Sequence, residues 1–264
     1  MKTIVINNQK GGVGKTMLAV HLAWYLAEQV MDDDKEAKVL FIDLDGQGNG
    51  GTALENERQS GNSADLFEAT RQLPLPGGLG ISVMSQDARL HSVEMSSVPQ
   101  AIRKFRSFQN EKGGYDYCVI DTPPTWGARN FTALAVTDFL ISPVEMKEFA
   151  LGGIKNLLAS VEAVETRARE GRRVANLGFL PSRFNSHSAE ERQKLQATLD
   201  AVGTKLMFPG VIKLRDSYEI ALANRVPVWR LPSSSGAKVA AAEIKQILKT
   251  IASRMEPAKI EEIA

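Results

Sequence analysis

A chain of 264 residues with 43% hydrophobic and 24% charged residues has enough apolar material for a sizeable core, and it carries no repeat or low-complexity tract. Its single cysteine, Cys118, lies in an apolar run, which excludes a disulfide framework and a zinc or iron–sulfur cluster ligated within one chain. The net charge of +1 hides a polarity: residues 1–171 carry −5 and residues 172–264 carry +6. Both a polyanion-facing surface and two unrelated solvated faces fit that split.

In chain order, short β-branched runs alternate with helical patterns. Strands are expected at 3–7, 38–43, 80–85, 117–121, 139–144 and 174–180, with a weaker one at 205–212. Their apolarity is continuous rather than alternating, as in strands covered on both faces of a parallel sheet. Helices are expected at 15–30, 63–70, 98–110, 129–136, 151–169, 188–202, 216–224 and 236–254. Ser188 and Glu191 have capping-box spacing at the start of one of them. The acidic stretch 31–37 reads as a solvated loop. With no linker long enough to divide the chain, the expectation is one α/β domain over 1–264, doubly wound, with a mostly parallel sheet flanked by helices. The opening run "KTIVIN" reads as a strand, so neither a signal peptide nor a helix-turn-helix extension ahead of it is expected, and no apolar stretch approaches the ~18 residues of a membrane span. A cytoplasmic setting follows.

The chemistry concentrates where strands end. "NNQKGGVGKT" (7–16) joins the first strand to the first helix, so backbone N–H groups and a helix N-terminus converge as they do on phosphate oxygens. Gln9 stands where the common phosphate-loop pattern wants glycine, and Lys10 is a second lysine beside the expected Lys15. Lys15 reaches the β- and γ-phosphates in such a loop and Thr16 ligates Mg²⁺. "VLFIDLDGQGNG" supplies Asp43 and Asp45, and "YCVIDTPP" supplies Asp121, a carboxylate placed to support the metal. Strand C-termini of a parallel sheet face the ligand crevice, so all three meet the loop there.

At "KGGVGKT", "DLDGQGN" and "DTPP" the chain resembles the ParA/MinD family of deviant Walker-A ATPases. Fainter similarity runs through "PVEMKEFALGGIKNL" and "VPVWRLPSSSGAKVAAAEI". The resemblance implies a P-loop NTPase fold, ATP and Mg²⁺ as cofactors, and nucleotide contacts from Lys10, Gly11, Gly12, Val13, Gly14, Lys15, Thr16 and Met17, with Asp43 supporting the loop that carries Asp45. It implies metal support by Thr16 and Asp121, and catalytic roles for Lys15, for Asp45 in orienting water, and for Lys10 as a signature lysine. In such proteins that lysine crosses the interface of an ATP-bound sandwich homodimer to the partner's phosphates. The family usually has Pro at the position of Gly46 and a second Thr at that of Met17. The loop 181–185 could bring Arg183 or Asn185 to adenine.

Within that family the short partition branch is favoured: an ATP dimer on non-specific DNA, associated with the nucleoid and released when a ParB-like adaptor stimulates hydrolysis. Lys213, Arg215, Arg225 and Arg230 are the DNA-contact candidates, with ordinary solvated charge as the other reading. A positioner of protein cargo over the nucleoid shares the mechanism. A MinD-like membrane cycler needs a basic amphipathic C-terminal helix. Here Val239, Ile244, Ile247, Leu248 and Ile251 form a core-like stripe, and the tail 256–264 is acidic, so no membrane partner is expected. An electron carrier holding a shared cluster is opposed by the lone buried Cys118. His21, His91 and His187 lack metal-ligand spacing, and Trp126 fits either a nucleotide-responsive loop or packing.

Overall fold

A computed structural model describes residues 1–28, 36–68, 78–109, 114–147 and 150–256. The chain runs β1 (Lys2–Ile6), α1 (Lys15–Ala27), β2 (Lys38–Asp43), α2 (Asn49–Ala53), β3 (Arg58–Asn62), β4 (Gly80–Ser85), α3 (Val98–Gln109), β5 (Tyr117–Asp121) and α4 (Ala128–Val136). It continues through β6 (Phe139–Val144), α5 (Ala150–Ala168), β7 (Ala175–Pro181), α6 (Ala189–Val202), α7 (Asp216–Ala223) and α8 (Ser235–Arg254). Among the described residues the strands form one all-parallel sheet in the order β3-β4-β2-β5-β1-β6-β7. The chain leaves β1 towards β2 on one side and later adds β6 and β7 on the other. This switch point opens a crevice beyond the C-terminal end of β1, where the glycine loop lies.

Two apolar layers cover the sheet. On one face Leu18, Leu22 and Leu26 of α1 pack with Ile244, Leu248 and Ile251 of α8. On the other, Ile102 and Phe105 of α3 join Phe131 and Leu134 of α4 and Ile154 and Leu157 of α5. The expected stripe on the last helix is core except for Val239, which is 50% exposed.

Four expectations change, one of them the short helix α2, whose "NGGTA" has no apolar stripe to announce it. The strand β3 was not anticipated because "RQSGN" has no apolar run; it is an edge strand with a bulge between Gln59 and Gly61, where polar residues guard an open edge. The expected strand at 205–212 is instead an irregular segment alongside β7. It exchanges hydrogen bonds with Phe179 through Leu206 and Phe208, then breaks at Pro209 and Gly210. It approaches so closely that a Cβ on Gly178, whose φ is +121°, would meet the Phe208 nitrogen at 2.8 Å. The helix expected at 63–70 is a 3₁₀ turn over Ser63–Phe67, closed by reciprocal bonds between Asn62 and Asp65. At α6 the capping box is half formed: Ser188 Oγ accepts from the Glu191 N–H, while the Glu191 carboxylate turns to the Asn185 N–H. The greater part of the acidic loop 31–37 and nearly all of the C-terminal tail lie outside the described residues.

His21 ties the loop-bearing helix to the C-terminal part of the chain. Fully buried on α1, it donates from Nδ1 to the Met17 carbonyl at 2.8 Å and accepts the Val228 N–H at Nε2 at 3.3 Å. The rings of Trp24, Tyr218 and Trp229 surround it edge-on. That environment offers the charged form nothing beyond the Met17 carbonyl, so burial holds its pKa down to about 4. A depressed histidine withdraws stability as pH falls from about 6.5 to about 4, by about 3 kcal/mol, because the unfolded chain takes the proton first. The imidazole resonance of His21 is therefore expected not to titrate between pH 8 and 5. A midpoint near 6.5 by NMR would contradict this packing.

Candidate functional site

The site forms because three central strands end together. Ile6 of β1 pairs with Asp121 of β5, and Asp121 pairs with Asp43 of β2, so two carboxylates lie side by side under the glycine loop. Both are fully buried. Asp43 is a structural acceptor: its Oδ1 takes the Asp45 N–H at 3.0 Å and its Oδ2 the Gly51 N–H at 2.8 Å. Burial still pushes its pKa up to about 6 against those bonds. Asp121 is pushed well above the ordinary range, first by burial and then by the neighbouring Asp43 charge. Neither of its oxygens has a hydrogen-bond partner; the Thr16 hydroxyl and Lys15 lie close enough to favour its charged form without bonding geometry.

The loop itself is held open from below. Asn8 Nδ2 donates to the Pro143 carbonyl on β6, and Asn8 Oδ1 accepts the Lys10 N–H at 2.9 Å. Gly12 and Gly14 take left-handed φ values of 72° and 90°. At Gly14 a Cβ would also lie 2.9 Å from Ser182 Oγ, so glycine is required there on both counts. The second strand-end loop is tied in by Asn130: its Nδ2 donates to the Pro123 and Thr125 carbonyls while its Oδ1 accepts from Asn7.

A cavity of about 500 Å³ lies over these elements. Gly11, Gly12, Gly14, Lys15, Thr16, Met17 and Asp45 line it as expected, together with Arg183. Val13 is buried beneath the loop, and Asp43 and Asp121 lie below the cavity floor. The two lysines differ sharply. Lys15 is buried, its Nζ donates to the Lys10 carbonyl at 2.9 Å, and burial lowers its pKa against the pull of Asp121 and Asp45. Lys10 does not line the cavity; its side chain is 54% exposed, with Nζ 3.2 Å from Glu145 Oε2. Glu145 also meets Lys147 Nζ at 3.2 Å and Arg183 Nε at 3.4 Å, so one nearly buried carboxylate gathers three cations at the loop's edge.

Some expectations are not brought together. Asn185 lies outside the cavity and serves its own turn, its Oδ1 accepting the His187 N–H. Trp126 is 41% exposed and packs edge-on to Phe131, next to cavity-lining Pro123, Pro124 and Thr125. Of the basic candidates, Arg215 pairs with Glu243 of α8, Arg225 with Glu55 just after α2 and Arg230 with Glu28 just after α1. The Lys213 ammonium has no ion pair among the described residues. Four cavity residues carried no sequence signal: His91, Arg129, Glu219 and Leu222 arrive from loops and helices with no motif. A small annex shares Gly14, Met17, Arg183, Glu219 and Leu222 with the cavity and adds Ile212, Leu214 and Tyr218 together with the basic candidates Lys213 and Arg215. Among the described residues no cluster of three His, Cys, Asp or Glu could hold a metal unaided.

A family model described as an AAA domain matches residues 1–174. Over 269 aligned positions the chain is 31% identical to Protein IncC of Escherichia coli, covering 97% of this chain and 70% of that protein. It is 30% identical over 244 positions to the chromosome-partitioning ATPase Soj of Thermus thermophilus, covering 90% and 91%. The chain belongs to the ParA/MinD family of P-loop partition ATPases. Its fold agrees with that membership: apo McdA of Cyanothece superposes with a TM-score of 0.76 at 21% identity, covering 97% of this chain and all of that one. The buried, unpartnered Asp121 carboxylate costs stability when it is charged. Without nucleotide or divalent metal, Asp121→Asn is expected to stabilise the fold by about 1–3 kcal/mol at pH 7.5. The gain should shrink at pH 5, because a carboxyl with a raised folded pKa contributes stability at low pH and loses it as pH rises. Thermal unfolding at both pH values checks this.

Proposed function

We propose that this chain is a DNA-partition ATPase working as one P-loop domain over residues 1–264: with ATP and Mg²⁺ it pairs with a second copy, the dimer holds DNA without sequence preference, and hydrolysis stimulated by a ParB-like adaptor releases it. The observation that carries the reading is the division between the lysines. Lys15 lines its own cavity, whereas Lys10 stands outside it, half-exposed and held by Glu145. A cation in that position adds nothing to its own site and is free to serve a site on another copy.

The residues present suit the chemistry. The loop N–H groups and the N-terminus of α1 receive phosphate oxygens, and Lys15 exchanges the Lys10 carbonyl for the β- and γ-phosphates, whose charge offsets the cost of its burial. Thr16 and Asp121 would hold Mg²⁺: a hydroxyl and two buried, unpartnered carboxylate oxygens are the hard donors that ion takes. When bound, Mg²⁺ supplies charge neutralisation at the phosphates. Asp45, at the cavity wall and fixed by the bond from its N–H to Asp43, orients the attacking water. The annex lined by Met17, Leu222 and Arg183 would take the base. Cytoplasmic, nucleoid-associated residence follows from the DNA step, and no described helix is long and apolar enough to cross a membrane.

Nucleotide titration and phosphate release separate the roles. Lys15→Ala is expected to lose ATP binding, and unchanged affinity would refute the phosphate assignment. Asp45→Ala should bind ATP and dimerise yet hydrolyse it at least about 100-fold more slowly, remaining on DNA; wild-type turnover would move the water-orienting role elsewhere.

For DNA, replacing any one of Lys213, Arg215, Arg225 and Arg230 should weaken ATP-dependent binding to a similar degree whatever the DNA sequence, and lower the salt slope by about one. Lys213→Ala should weaken it most, since the three arginines must first leave acidic partners. Unaffected binding in all four variants would leave these charges as solvation.

A further inference from the structure

The cavity wall opposite the glycine loop contains a cation that no part of the phosphate cradle explains. Arg129, at the start of α4, extends across to the turn that carries Asp45 and donates from Nη1 to the Leu44 carbonyl at 2.9 Å. No acidic oxygen lies within ion-pair distance of it among the described residues, and the charge it faces across the cavity wall is that of Asp45. It is half-buried, and burial lowers its pKa against that attraction.

Gly46 lies against this contact: a Cβ there would meet His91 Cε1 at 2.9 Å and force that ring to shift, while Arg129 Nη1 at 3.4 Å would be in ordinary contact. The other supports come from the strand ends and from within the turn, where Asp45 Oδ1 accepts the Gln47 N–H at 3.1 Å. The Leu44 N–H donates to the Asp121 carbonyl, the Asp45 N–H to Asp43 Oδ1, and the Gly48 N–H to the Asp45 carbonyl. Arg129 is the support from the cavity side, and it sits on the helix whose Asn130 holds the 123–125 loop.

We propose that Arg129 is a positioning residue for ATP hydrolysis: it clamps the Leu44–Gly46 turn in cis through the Leu44 carbonyl, so that the Asp45 carboxylate faces the attacking water. This rests on the reading of Asp45 as the water-orienting group. A group that acts through Asp45 changes the rate and not nucleotide affinity, and its effect vanishes once Asp45 is gone.

The test is single-turnover phosphate release and ATP binding by the full chain with MgATP, on Arg129→Ala, Arg129→Gln, Arg129→Lys, Asp45→Ala and the Arg129→Ala/Asp45→Ala double variant. The two neutral variants should slow release at least about tenfold with ATP affinity within about twofold of wild type. Arg129→Lys, which keeps the charge and can reach one carbonyl, should recover at least about threefold of that loss. The double variant should be no slower than Asp45→Ala alone. Wild-type release in either folded neutral variant, a parallel fall in ATP affinity, or a double variant slower again by the same tenfold would overturn the clamp. Wild-type release in Asp45→Ala would overturn the reading beneath it, whereas a nearly inactive Asp45→Ala beside an unaffected Arg129→Gln overturns the clamp alone.

Discussion

The site depends on two carboxylates placed at adjacent register positions where no water reaches them. Asp43 and Asp121 end neighbouring strands, both fully buried; burial raises the pKa of each, and the Asp43 charge raises that of Asp121 further. The two are resolved differently. Asp43 is satisfied by backbone N–H groups and becomes a scaffold for the Asp45 turn. Asp121 is left without a hydrogen-bond partner and becomes a demand for positive charge. A fold that keeps such a group stores an unfavourable interaction which a bound cation relieves, so ligand binding and stability are linked through one side chain.

Positive charge around that point is arranged in three ways. Lys15 is buried beside Asp121 and turned onto the loop's own carbonyl. Arg129 approaches from α4 and grips the Asp45 turn. Lys10 is kept out of the cavity by Glu145, which also binds Lys147 and Arg183. Glu145 is nearly buried while Lys10 is half-exposed, so the ion pair is anchored on the carboxylate side and loose on the lysine side. Releasing Lys10 from a partly solvated pair costs little, about 1 kcal/mol or less, as the proposed change of partners requires.

Much of this was legible in the sequence because it rests on local rules. Continuous apolar runs marked the buried strands, and the helix boundaries fell within a few residues, since α1, α5 and α8 present long apolar faces to the sheet. Lys15, Thr16, Asp43, Asp45 and Asp121 were visible because strand ends and the glycine loop fix them. The edge strand β3 was not, since its polar residues answer to an open edge rather than to a core. The segment at 205–212 looked like a strand because its apolar residues do enter the core, yet Pro209 and Gly210 interrupt the ladder. Glu145 was inside a quoted stretch without a role, and Arg129 and His91 carried no signal, because their meaning lies in what the fold places opposite them. Asn185 was misplaced for a similar reason: chain position put it near the cavity, but its side chain closes its own turn. The basic residues were readable as charge and not as pairing, since Glu28, Glu55 and Glu243 come from distant parts of the chain.

The central claim is that Lys10 serves a partner's nucleotide and not its own. Mixing Lys10→Ala with Lys15→Ala chains tests it most directly, because in the heterodimer the only nucleotide-competent site belongs to the Lys10→Ala copy, and the intact Lys10 comes from the other. DNA-stimulated phosphate release should be absent from each variant alone and return in part on mixing. No recovery in a heterodimer shown to form, or loss of ADP binding by monomeric Lys10→Ala, would contradict the account and leave Lys10 as a residue of its own loop.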